Sequence, residues 1–173
     1  MLKLTGVAAL CLTAAAVSFA APDRAVAAPI GPHAESCENG GPAVIARVSG
    51  LKSHGGTVRV QLYAENEKTF LEKRQYLQRV DVPVKAGAMD ICVPVPKPGR
   101  YALSVRHDVD GNGKTSRSDG GGFSGNPKVS LGDLIAKRKP DLHDVAFTVG
   151  SQPRVVPVTL RYVQGLSFKP IGA

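Results

Sequence analysis

The chain has 173 residues, 43% of them apolar, and a formal net charge of +8. That length supports one buried core rather than several. Aromatic residues make up 5%, Trp is absent and the basic residues are scattered except at Lys137-Arg138-Lys139, which argues against nucleic acid bound by stacking and leaves anionic polymers, glycans or membrane surfaces as the partners that charge would attract.

Met1-Leu2-Lys3 carries one positive charge, and Leu4 to Ala16 is a run of apolar and small residues. The run has signal-peptide length and is too short to span a membrane. Ser18-Phe19-Ala20 and Ala25-Val26-Ala27 both satisfy the small-x-small rule for cleavage, and a cut near Ala27 or Ala28 makes residues 1–28 the leader. Cys11 leaves with it. No second long apolar run follows, so no stable membrane insertion is expected. The product would be periplasmic or secreted.

Residues 29–42 form an irregular segment ahead of a β domain at 43–173. It contains Cys37, and Cys92 lies in the domain. An even count of cysteines in an exported chain points to one disulfide. Closing a loop of that length is worth roughly 4 kcal/mol by chain entropy. Free thiols, or a metal site with His33, are the alternatives, and neither has CxxC-type spacing.

Val44 to Val48 reads as a strand that Gly50 ends. Thr57 to Tyr63 alternates, with Val58, Val60 and Leu62 on one face and Arg59 and Gln61 on the other, the period of a half-buried strand. The two read as a hairpin. Glu65 to Gln78 is polar, with Phe70, Leu71 and Leu77 interspersed, and suits a short helix or a loop. Val80 to Val84 alternates again, and Pro83 confines it to an edge or a strand end. Ala88 to Val95 and Tyr101 to Arg106 are two more strands, separated by a Pro98-Gly99 turn. Leu131 to Ala136 suits one or two helical turns. Val145 to Val149 and Val155 to Val163, the latter broken by Pro157, are the last strands. About seven short strands with little helix predict an all-β antiparallel sandwich.

The polar stretch between the fifth strand and Leu131 has calcium-loop spacing. Calcium takes six to eight oxygens at about 2.3–2.6 Å, and a tight loop supplies them from alternate positions around a glycine at the sixth. Asp108, Asp110 and Asn112 stand at positions one, three and five, and Gly113 stands at six. Lys114 would give its carbonyl at seven, Ser116 would act at nine through a water, and Asp119 would close the loop at twelve. Asp is shorter than the usual Glu there, so binding should be weak, and no helices flank the loop. A solvated turn uses the same residue types.

Two rival chemistries use nearby residues. His107, Asp108 and Ser124 invite a hydrolase triad. However, Gly122-Phe123-Ser124-Gly125-Asn126 lacks the second glycine of a nucleophile elbow. A transition-metal site would need His33, His54, His107 or His143, and no two of these have ligand spacing. His107 is better suited to fix the loop by donating to a backbone carbonyl or to Asp119. Phe123 suits a plug at the sandwich end.

Pro98-Gly99-Arg100-Tyr101-Ala102-Leu103-Ser104-Val105-Arg106-His107-Asp108, then Asp110-Gly111-Asn112-Gly113-Lys114, then Gly122-Phe123-Ser124, resemble the PGxYAvxvxHDxNxNGK block and GFS element of the DUF2141 family of bacterial exported proteins. Val48-Ser49-Gly50-Leu51 and Gly56 to Tyr63 are similar to that family's opening hairpin. The resemblance spans about Ala43 to Val163. It implies an immunoglobulin-like or transthyretin-like sandwich and brings no catalytic residues. Asp110 stands where the family commonly has Asn, and the segment before Phe123 is shorter and richer in glycine. The combined expectation is an exported, non-enzymatic sandwich with a structural calcium loop and a binding or structural task in the envelope.

Overall fold

The computed structural model describes residues 28–172, so the expected leader lies outside the described residues, apart from Ala28. The described chain is almost all β. It runs α1 (Ala34–Glu38), β1 (Ala43–Ser49), β2 (Thr57–Ala64), β3 (Gln78–Pro83), β4 (Met89–Pro94), β5 (Gly99–Asp108), β6 (Gly120–Phe123), α2 (Leu131–Ile135), α3 (Leu142–Val145), β7 (Phe147–Val149), β8 (Arg154–Thr159), β9 (Arg161–Gln164) and β10 (Ser167–Lys169). A small sheet has the order β4-β1-β8. A large sheet has the order β10-β9-β6-β5-β2-β3, with β7 also paired to β5.

The sandwich follows from two-residue alternation. Val58, Val60 and Leu62 of β2 and Leu103 and Val105 of β5 face Val44, Ala46 and Val48 of β1 and Ile91 and Val93 of β4 in one dry cluster. Each valine, leucine or isoleucine among them, fully buried, contributes about 1.5–3 kcal/mol. Parts of the outer faces are covered too. Tyr63 and Ala102 point away from the core and meet Phe70, Leu142 and Val145. On the far side of the small sheet, Ile45 and Cys92 meet Cys37 of α1. Cys37 and Cys92 are joined by a disulfide with Cα atoms 6.0 Å apart. Ile30 bridges to Ile91 beside β4 and so covers part of that strand's edge.

Four expectations are corrected. The first two strands are not a hairpin: β1 pairs with β4 and, in parallel, with β8, whereas β2 pairs with β3 and β5 in the other sheet. The strand expected at Val155 to Val163 breaks at Leu160, not Pro157. Leu160 is buried and donates its N–H to Ser49 O at 2.9 Å as the chain crosses between sheets. Pro157 sits inside β8, on an edge where a missing N–H costs no ladder bond. Val145 ends α3, so β7 starts only at Phe147. Phe123 does not plug the sandwich end; it is half-buried against the Tyr63 cluster on the outer face of the large sheet. Pro83 does lie on an edge, at the end of β3. Residues 65–77 form turns rather than a helix.

Candidate functional site

β5 delivers the polar loop. At its end His107 is fully buried and held from two sides. Its Nε2 lies 2.9 Å from Gly55 O, and its Nδ1 lies 2.7 Å from the Tyr162 hydroxyl. A carbonyl only accepts, so Nε2 carries the hydrogen. The hydroxyl accepts from Lys52 N at 3.1 Å and donates to Nδ1. Gly56 lies so close that an added Cβ would sit 2.0 Å from Asp108 O. The base of the loop is thereby fixed to the turn before β2 and to β9.

Above that base the loop closes through its own carboxylates. Asp108 Oδ2 accepts from Gly113 N at 2.8 Å and from Arg106 Nη2 at 3.1 Å. Asp110 accepts from Asn112 N and, at 2.6 Å, from Asn112 Nδ2. Asn112 Oδ1 accepts from Lys114 N. Asp119 Oδ1 accepts from Val109 N and from the Ser116 hydroxyl, and Oδ2 accepts from Ser116 N. Gly111 and Gly113 have φ of +68° and +76°, which side-chain-bearing residues rarely adopt.

Asp108, Asp110 and Asp119 each place a carboxylate oxygen within 4.8 Å of the others. Oxygens on one calcium ion, each at about 2.3–2.6 Å from it, lie up to about 5 Å apart, so a spread of this size suits a shared ion. Asp108 and Asp119 are buried and Asp110 is exposed. Asp108 Oδ1 is buried with no hydrogen-bond partner. A buried carboxylate oxygen left unmatched is costly, because charge in a poorly solvated place needs a partner. Burial pushes the Asp108 carboxyl up. The Gly113 N–H, the contact with Asp110, the Arg106 charge and the Asn112 N–H together outweigh burial and hold it below the usual range. The group is therefore an anion at neutral pH.

The other candidates do not converge. Ser124 is buried, its Oγ accepting from Leu103 N at 2.9 Å and donating to Val145 O. Leu103 lies four residues back along β5 from His107, about 13 Å at the strand rise. Ser124 therefore does not join His107 and Asp108. His33, His54 and His143 take no part in the carboxylate group, which among the described residues is the one set of three or more such side chains close enough to share a cation. Of the basic run, Arg138 bonds Asp133 and Lys139 bonds Glu72.

Sequence reasoning missed Arg106. Its guanidinium reaches Asp108, Gly113 O and Thr115 Oγ1 and staples the loop to β5. The signal was present: Arg106 and Asp108 are two apart on a strand and so share a face.

A family model described as an uncharacterized protein conserved in bacteria, DUF2141, matches residues 46–156. No curated protein and no solved structure matches the chain.

Proposed function

Because the chain belongs to the DUF2141 family of uncharacterized bacterial proteins, we propose that it is an exported, non-enzymatic β-sandwich whose 108–119 loop holds one calcium ion. The observation that carries this reading is Asp108 Oδ1, buried and unpartnered beside two further carboxylates. Asp108, Asp110 and Asp119 would give carboxylate oxygens, Asn112 its amide oxygen, Lys114 its carbonyl, and Ser116 a water-mediated contact. The ion's task is structural: it offsets the repulsion of three carboxylates in one turn. Arg106 already offsets one of them, so affinity belongs in the weak range of about 10⁻⁴–10⁻³ M found for extracellular modules. Export is supported by the leader pattern and by a disulfide, a bond that persists in oxidising compartments. Among the described residues no helix is long and apolar enough to cross a membrane. An envelope protein, or an anionic polymer or glycan, is the partner class that the basic surface suits. The hydrolase alternative has no observation in its favour, since its three residues are not together.

Thermal melts of the oxidised protein in chelator and in millimolar calcium test the metal. At about 10 mM calcium a Kd in that weak range stabilises by about 1.4–2.7 kcal/mol. A rise in Tm with calcium that Asp108→Ala abolishes is the expected result. No rise in the parent protein would mean that the loop is held by Arg106 and its own N–H groups alone.

A further inference from the structure

A second feature lies beside the loop. On the outer face of the large sheet, α2, the 115–117 segment and the β9–β10 hairpin enclose a groove of about 440 Å³. Small-molecule sites run from about 300 to 1,000 Å³. Val163 and Phe168, paired across β9 and β10, lie on one side of it. Leu131, Leu134 and Ile135 of α2 lie on another.

Helix α2 is built in an unusual way. It is only five residues long and buries none of them, so apolar packing does not hold it. A capping box does: Ser130 Oγ accepts from Asp133 N, and Asp133 returns to Ser130 N. Arg138 latches Asp133 at 2.8 Å. The result is a fixed turn that keeps apolar side chains in water, with Ile135 73% and Leu134 38% exposed.

The remaining lining is polar and cationic. Arg117 is exposed and has no ion pair among the described residues. Arg106 Nε is buried without a partner, although its other nitrogens are bonded. Asp119, on the same side, is buried and spends its carboxylate on Val109 N, Ser116 N and the Ser116 hydroxyl. The accessible charge there is therefore positive.

We propose that this groove binds a single-chain amphiphile with an anionic headgroup, of the medium-chain carboxylate type. The tail lies among Leu134, Ile135, Val163 and Phe168, and the carboxylate meets Arg117. The inference does not rest on calcium, although Ser116 and Asp119 serve both the groove and the loop.

Calorimetric titration of the disulfide-intact protein with dodecanoate, below its micelle concentration, tests it. Dodecanol and phosphatidylglycerol vesicles run in parallel. Saturable one-site binding of dodecanoate is expected, weakened about tenfold or more by Arg117→Glu, by Leu134→Asp with Ile135→Asp, and by exchange for dodecanol. All three substituted side chains are exposed, and an unchanged Tm shows that each variant is folded. Absence of saturable dodecanoate binding overturns the proposal. So does binding indifferent to both variants, association only with vesicles, or self-association lost in the α2 variant without dodecanoate binding. Each titration is run in chelator, because millimolar calcium precipitates dodecanoate as its soap; dodecanoate binding without calcium supports the groove whatever the melts show.

Discussion

Tyr162 shows how much one side chain can hold at the base of the loop. It is fully buried, its ring lies where a Cβ on Gly120 would come within 2.5 Å, and its hydroxyl joins His107 to Lys52 N. Burial pushes the phenol above its ordinary range; the Lys52 N–H opposes this and the Asp119 charge adds to it. The hydroxyl therefore stays protonated and able to donate to Nδ1. Tyr162→Phe keeps the ring but leaves the buried His107 Nδ1 and the part-buried Lys52 N–H unmatched, and should lower stability by about 1–3 kcal/mol in urea unfolding. An unchanged midpoint would mean that water replaces the hydroxyl there. The ligand-type residues at 108–119 were legible because side-chain chemistry and spacing are local. The glycines at 120–122 were not: they read as loop, yet they form β6. Gly120 and Gly122 are small because Tyr162 and Val158 occupy the space beside them. That reason lies about forty residues further along the chain, beyond any local pattern.

Among the elements, α2 is the one whose hold is mainly electrostatic. The Ser130 hydroxyl and N–H and the Arg138 guanidinium draw the Asp133 carboxyl down from 3.8 to about 2, against a small opposing effect of burial. A carboxyl depressed in the folded state stabilises fully above its ordinary value, and that contribution is lost as pH falls through the folded value. The capping box should therefore persist at pH 4 and open on descent towards about 2. Following the Ser130 and Asp133 amides by NMR checks this. A midpoint near 3.8, unmoved by Arg138→Ala, would show that the box does not hold in solution. The helical turn at Leu131 was legible from its residues, as were β2, β3 and β5 from alternation. Pairing was not. Alternation says which face of β2 is buried, not which sheet owns it, and β1 is buried on both faces. The short gap between them suggested a hairpin where the chain in fact crosses the sandwich. The break at Leu160 was hidden for the same reason, since a buried crossing residue looks like one more apolar strand position.

At the scale of the whole molecule, the disulfide and the candidate metal loop are attached to different layers. Cys92 lies in β4 of the small sheet and ties α1 to its outer face, whereas the loop leaves the end of β5 in the large sheet. The disulfide pairing was legible by parity, since Cys37 and Cys92 are the two cysteines that follow the leader pattern. Its separation from the loop required the sheet assignment. The covalent link closes a segment of 55 residues. Removing that constraint frees the unfolded chain more than the folded one, a loss of about 4 kcal/mol by chain entropy. Cys37→Ala with Cys92→Ala avoids placing hydroxyls in the buried Ile45 cluster, so the measured loss reports the cross-link rather than a stranded polar group. Effects at sites with no shared partner add to within about 0.3–0.5 kcal/mol. The double variant should thus unfold at lower urea, yet gain the same increment from calcium as the parent protein. A calcium increment that disappears with the disulfide would mean that the two sites are coupled, the loop sensing the N-terminal segment through the core between the sheets.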